Sequence, residues 1–128
     1  KGRAMNLPND RKYTKSHQWI KKDGDIFLVG ITDHAQEQLG DLMFVGDVEE
    51  GRAVQAGDVV AVVESVKTAS DVYAPVSGKV LAFNKDLETR PESLNEAPYA
   101  AWILKLEADS ASDFDNLLGA ADYASLTD

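Results

Sequence analysis

Between Tyr13 and Thr32, apolar and polar residues alternate in two short runs, "YTKSHQWIKK" and "DIFLVGIT", separated by Asp23-Gly24. That dipeptide tolerates the positive φ angles of a tight turn, so the pattern predicts a β-hairpin. In the following "TDHAQEQLGD", Asp33 with Gln36 resembles a capping box, Ala35 and Leu39 share one face, and Gly40 offers a left-handed stop, which predicts a short helix. "LMFVGDV" returns to strand composition before an acidic turn at Glu49, Glu50 and Gly51. After a turn at Gly57-Asp58 comes "VVAVVESV", a β-branched run that predicts a strand covered on both faces. Ala69 to Ala74 resume extended character and Pro75 with Gly78 punctuate the next turn, so the pattern predicts a second hairpin with Lys67 at its tip. "GKVLAFN" reads as another strand, residues 85–98 as an irregular polar connection, and "YAAWILKLEA" as a last strand in which Trp102, Leu104 and Leu106 alternate with Ile103 and Lys105. The period then changes. Phe114, Leu117 and Leu118 fall at helical spacing, with Ser112 and Asp115 as a capping pair and Gly119 as a break. The expected class is mostly β with a short internal helix and a helical C-terminus. Gly57 and Gly78 each precede a β-like run, a weak echo of two similar halves.

Composition narrows the function more than the fold. At 128 residues the chain suits one domain, expected over residues 13–128 after an N-terminal tail of residues 1–12. Its longest aliphatic run is five residues, Val59 to Val63, far short of a membrane span, so a soluble protein is expected. Cysteine is absent, which removes disulfides, thiolate metal sites and cysteine nucleophiles. A net charge of −9 disfavours nucleic acid and anionic lipid; it suits partners with basic docking faces, although keeping the chain soluble accounts for it more simply. The first residues hold no secretory signal, and Met5 is a natural start with Lys1 to Ala4 as a remnant ahead of it. A reducing interior compartment is expected: the cytoplasm of a bacterium, or a mitochondrial matrix after removal of a transit peptide.

Motifs for nucleophile elbows, phosphate loops, dinucleotide folds and zinc helices are missing. His17 and His34 lack partners at metal-ligand spacing and read as surface or hydrogen-bonding residues. The carboxylates are too numerous for spacing to single out an acid–base pair. Lys67 stands apart, set among Ser65, Thr68, Ala69 and Ser70 on a hairpin tip where a modifying enzyme could reach its amine. By position alone, a lysine that merely solubilises a turn is the favoured explanation.

The whole stretch "VVESVKTASDVYAPVSGKV" weighs against that explanation, because it resembles the lipoyl-attachment region of the glycine cleavage system H proteins. The resemblance extends through "YTKSHQW", "VGITDHAQEQLGDLMFV", "LNEAPY" and the C-terminal helix, nearly everything from Tyr13 onward. Biotinyl domains usually place Met on each side of their lysine and 2-oxo-acid dehydrogenase lipoyl domains read Asp-Lys; here the neighbours are Val66 and Thr68. The resemblance implies a lipoyl/biotinyl-type β-sandwich, a barrel-sandwich hybrid, acting as a carrier and not an enzyme. It implies lipoic acid in amide linkage on Lys67, with Glu64, Ser65, Val66 and Asp71 as flanking parts of the attachment motif. It further implies four partners: a pyridoxal phosphate-dependent glycine decarboxylase that loads an aminomethyl group, a folate-dependent aminomethyltransferase, a flavin-containing dihydrolipoyl dehydrogenase, and the lipoate-attaching enzymes. The carrier is expected to be a monomer.

In such proteins the loaded arm tucks into a surface cleft, and Ser16, Gln18 and Asp71 match places near it. The family motif usually reads Ser-His-Glu-Trp, whereas this chain has Ser16-His17-Gln18-Trp19, and a neutral amide cannot offer a cationic amine a charge-assisted hydrogen bond. "EEGRAV" and "PYAAW" also depart from the usual Pro- and Gly-containing versions. Three other readings stay open at this point. They are a biotinyl or other carrier domain on the same scaffold, a Schiff-base enzyme using a buried Lys67, and an H-like protein that relays lipoyl groups.

Overall fold

The computed structural model describes residues 7–127. Among these residues nine strands form two antiparallel sheets. The larger comprises β1 (Lys12–Tyr13), β2 (Gln18–Asp23), β3 (Ile26–Ile31), β9 (Leu104–Ala108), β8 (Gly78–Phe83) and β5 (Ala53–Val54), in that order. The smaller holds β4 (Leu42–Gly46), β6 (Val59–Ser65) and β7 (Ala69–Tyr73). Both expected hairpins are present, β2–β3 turning at Gly24 with φ 66° and β6–β7 carrying Lys67.

One apolar core draws on both sheets. Ile20, Val29, Val80, Leu104 and Leu106 from the large sheet are buried in the same cluster as Leu42, Val45, Ala61, Val63 and Val72 from the small one. Alternation sends neighbouring side chains to the opposite face of the large sheet, where Tyr13 and Trp19 join Tyr123 in a second buried cluster. Tyr123 comes from the C-terminal helix α5 (Ala120–Thr127) and stacks on Tyr13 with ring centroids 4.9 Å apart.

Several local expectations are corrected. Thr32, rather than Asp33, caps helix α1 (Asp33–Leu39): its side chain accepts from the Ala35 N–H, and Asp33 instead takes a hydrogen bond from Gln36 within the first turn. Gly40 does end that helix, at φ 82°. Strand β6 is covered on one face only; a bulge between Val59 and Ala61 lets the continuous aliphatic run keep Val60, Ala61 and Val63 inward while Val59 and Glu64 are exposed. Residues 85–98 contain two single-turn helices, α2 (Asp86–Thr89) and α3 (Ser93–Glu96). Each is too short to show a period, and each buries one leucine, Leu87 or Leu94. The tail is two helices, with α4 (Ser112–Asp115) separated from α5 by residues 116–119, and Ser112 does not cap: its hydroxyl meets Ser110. Leu118 between them pairs with Tyr13 as an extra rung beside β1.

Residues 1–6, including the expected remnant Lys1 to Ala4 and the start at Met5, lie outside the described residues. From Leu7 the chain is docked. Tyr13 donates its hydroxyl to the Pro8 carbonyl at 2.6 Å, and Arg11 is buried over the Trp19 ring, donating to the Tyr99 carbonyl at 2.8 Å.

Candidate functional site

Lys67 is exposed at the turn between β6 and β7, and the turn is braced from below by Ser65. The backbone closes it first, with the Ser65 N–H donating to the Thr68 carbonyl at 2.7 Å. The buried Ser65 hydroxyl then donates to that same carbonyl and accepts from the N–H groups of Lys67 and Thr68, each at 3.2 Å. A short side-chain oxygen that satisfies local backbone donors is what a tight turn needs, and serine supplies it at the one inward-facing position. The Val66 N–H reaches the Asp41 carbonyl at 3.3 Å, tying the tip to the loop ahead of β4.

Beneath the lysine lies Gly40. A Cβ placed there would stand 3.4 Å from Lys67 Cε, so the absent side chain leaves room for the lysine to lie across the loop. Asn95 of α3 holds this corner in place, accepting from the Leu42 N–H at 3.0 Å and donating to the Gly40 carbonyl at 2.9 Å and to the Gln36 side chain at 2.8 Å. The supposedly irregular connection thus stitches together the ground under Lys67. No ion pair involves Lys67 among the described residues.

Two depressions flank the hairpin and meet at Ser16. A cleft of about 290 Å³ is bounded by Ser16, His17, Ala35, Leu39, Thr68 and Ser70, directly beside the lysine. A larger, more apolar groove of about 580 Å³ continues past Gln18, Tyr73, Pro75 and Leu117. Ser16 is exposed on the rim of both. Gln18 is 2% exposed and its amide is already engaged: Oε1 accepts from Ser16 at 2.6 Å and Thr14 at 3.0 Å, and Nε2 donates to the Ser16 carbonyl at 2.8 Å. Asp71 is placed differently. It sits opposite Val62 on the solvent face of the small sheet, on the side shared with Glu64, and borders neither depression. Val66 is 69% exposed at the tip. The structure therefore brings Lys67, Ser65, Val66 and Ser16 to one region, with Gln18 just behind, and leaves Glu64 and Asp71 on an adjoining face.

His17, expected as a surface or hydrogen-bonding residue, lines the cleft and is held from behind by a residue the sequence reading did not single out. His17 adopts φ 70°, the left-handed region, inside the turn that leads into β2. Its Nδ1 lies 2.7 Å from the Tyr123 hydroxyl, 106 residues away, and its ring packs at 4.5 Å from that of His34. Burial first, and the charge of His34 second, hold His17 below the ordinary histidine value. Burial likewise pushes Tyr123 up to about 12. No local pattern marks Tyr123, or Asn95, as part of this region.

A β-sandwich that displays an uncommitted lysine on a braced hairpin tip, beside a neutral cleft with aliphatic and hydroxyl walls, has the build of a carrier domain. Hydrophobic methylenes and an amide are what such a cleft receives well, so the chemistry of the walls fits an acylated lysine arm. The family model described as "Glycine cleavage H-protein" matches residues 11–128. The chain is 59% identical over 119 residues to the glycine cleavage system H protein of Bordetella pertussis, covering 93% of this chain and 96% of that one. It is 52% identical over 120 residues to the corresponding protein of Thermus thermophilus, covering 93% and 94%. The crystal structure of a glycine cleavage system H protein from Mycobacterium marinum superposes with a TM-score of 0.85 at 38% identity, covering 94% of this chain and 98% of the other. The chain belongs to the glycine cleavage H-protein family: it is a lipoyl carrier component of a multienzyme system, not itself a catalyst.

Proposed function

We propose that Lys67 carries a lipoyl group in amide linkage. The protein then conveys an aminomethyl cargo from the pyridoxal phosphate-dependent glycine decarboxylase to the folate-dependent aminomethyltransferase. Dihydrolipoyl dehydrogenase afterwards reoxidises the dithiol. The observation that carries this reading is the position of Lys67, exposed within Glu64-Ser65-Val66-Lys67 on a turn braced from inside by the Ser65 hydroxyl. When bound, the dithiolane supplies a redox-active disulfide and a sulfur to hold the one-carbon unit.

The chain's own residues do the rest. Acylation removes the charge of Lys67, so the arm lies against protein without the desolvation penalty of an ammonium. Gly40 leaves space for the proximal methylenes, Ala35 and Leu39 give apolar contact, and the hydroxyls of Ser16, Thr68 and Ser70 serve the amide and the cargo. Tethering replaces diffusive capture with a high effective concentration at each docked active site. The absence of cysteine means that no thiol of the carrier can attack the disulfide from within. Acidic residues on the face beside Lys67, Glu64 and Asp71, suit partners with basic docking surfaces, the lipoate-attaching enzyme among them.

The test is an intact-mass and fragment-mass measurement after incubation with a lipoate-attaching enzyme and lipoyl donor. One lipoyl adduct at Lys67 is expected. Lys67→Arg keeps the charge at an exposed position and should fold normally, take no adduct and lose glycine decarboxylase exchange. Full exchange activity in that variant would remove the proposal.

A further inference from the structure

A relay of hydrogen bonds from separate parts of the chain ends on the cleft wall. The Ala35 N–H donates to Thr32 Oγ1 at 3.2 Å, Thr32 Oγ1 and the Tyr123 hydroxyl are 2.8 Å apart, and the Tyr123 hydroxyl is 2.7 Å from His17 Nδ1. Thr32 and Tyr123 are both 0% exposed, so bulk solvent does not reach their hydroxyls. Two polarities are conceivable. In one, Thr32 donates to Tyr123 and Tyr123 donates to His17, and every proton finds an acceptor. In the other, His17 donates to Tyr123 and Tyr123 to Thr32, which strands the Thr32 hydroxyl proton in a dry site, because that oxygen's other neighbour is the Ala35 donor. An unmade buried donor forfeits most of a hydrogen bond, so the first polarity prevails. Nδ1 is then an acceptor, the ring proton is on Nε2, and adding a second proton would reverse the whole relay.

The surroundings act in the same direction. His34 of α1 faces the ring at 4.5 Å and Tyr123 of α5 faces its Nδ1 edge; Lys15 on the same turn is exposed, and Thr68, Ala69 and Ser70 across the cleft carry no titratable group. On α1 it is His34 whose charge disfavours a further positive charge on His17. Among the residues lining the cleft none is a carboxylate, and His17 is the one titratable side chain. Gln18 just behind is neutral with its amide already engaged, and no carboxylate lines the cleft to offset an imidazolium.

We propose that Tyr123 is a positioning residue that holds His17 uncharged with its proton on Nε2, keeping the cleft beside Lys67 neutral for a cationic amine cargo. Protonation of His17 in mild acid reverses the relay and drives the loaded arm out of the cleft by like-charge repulsion; water then cleaves the exposed carbon–sulfur bond, releasing the one-carbon unit as formaldehyde with ammonium and leaving the sulfur as a thiol. This rests on the carrier role proposed for Lys67 and adds a control on cargo retention supplied by the C-terminal helix.

The tautomer is read by ¹⁵N NMR of the imidazole nitrogens in the unmodified protein. At pH 7, His17 Nδ1 should be unprotonated and Nε2 protonated, and Tyr123→Phe, which keeps the ring and loses the hydroxyl, should move the His17 titration to higher pH. A protonated Nδ1 in the wild type, or an unmoved titration in Tyr123→Phe, overturns the relay; should that variant fail to fold, the wild-type tautomer decides alone. In the lipoylated, aminomethyl-loaded protein, cargo loss should accelerate as pH falls through the His17 titration. The step should move to higher pH in Tyr123→Phe, and a step at the same pH in both proteins overturns the retention role. An unlipoylated Lys67, by contrast, sinks the carrier reading and cargo retention with it, while leaving the tautomer result standing.

Discussion

Replacing Ser65 by alanine tests whether the platform under Lys67 owes its shape to one hydroxyl. That hydroxyl makes three hydrogen bonds, all at 3.2 Å, to the Lys67 and Thr68 N–H groups and the Thr68 carbonyl. At about 1 kcal/mol net for a well-made bond, three would sum to about 3 kcal/mol. The actual loss should be smaller, because these distances sit at the long end of the range and the exposed tip lets water replace the lost partner. The 2.7 Å backbone bond between Ser65 and Thr68 also survives the substitution. The expected cost is therefore about 1 kcal/mol, a fall in Tm of about 3–5 °C for a chain of this size. The local effect should exceed the global one: amide exchange at Lys67 and Thr68 should speed up well beyond what the change in overall stability predicts. Lipoyl attachment should slow several-fold, because the ligase meets a looser target. Thermal unfolding, residue-resolved hydrogen exchange and initial attachment rates measure the three effects. If exchange at both amides and the attachment rate match the wild type, the Ser65 brace has no part in presenting the lysine.

Gly78→Ala should cost about 3 kcal/mol, near the top of the range for overpacking, since its Cβ would run into the Glu107 carbonyl and stand 3.0 Å from Ala108 Cα on the paired strand. Urea unfolding would count against this if the loss were only a few tenths of a kcal/mol. Alkaline stability should follow Tyr123. Its folded pKa, about 12 against 10 for a free phenol, makes its contribution complete below pH 10 and progressively lost between pH 10 and 12. Tyr13, pushed upward by burial as well, acts with the same sign. Urea midpoints should fall over that window, and less steeply in Tyr123→Phe; parallel curves for the two proteins would contradict the assignment.

The hairpins, the short helix and the exposed place of Lys67 on a hairpin tip were legible in the sequence because each is written locally. Asp23-Gly24 marks a turn, Gly40 a helix stop, and Glu64-Ser65-Val66-Lys67 a surface motif of a known family. Local reading went astray where a neighbour in space took over. Thr32 became the cap in place of Asp33, and α2 and α3 exist because Leu87 and Leu94 have a core to enter. The echo between Gly57 and Gly78 likewise hides two different physical tasks. Gly57 adopts φ 94° with open space around it, whereas Gly78 lacks a side chain because β9 passes too close.

What the sequence determined by itself is thus the alternation that makes two sheets, the turn that projects Lys67, and the identity of the carrier family. The tertiary structure alone decided what surrounds that lysine. It placed Gly40 and Asn95 beneath Lys67, turned Gln18 inward to Ser16 and Thr14, kept Asp71 off the cleft, and set Tyr123 against His17. Periodicity reports which face of an element is buried. It carries no information about which distant side chain arrives to share a proton there, because that depends on how the sheets and the last helix pack.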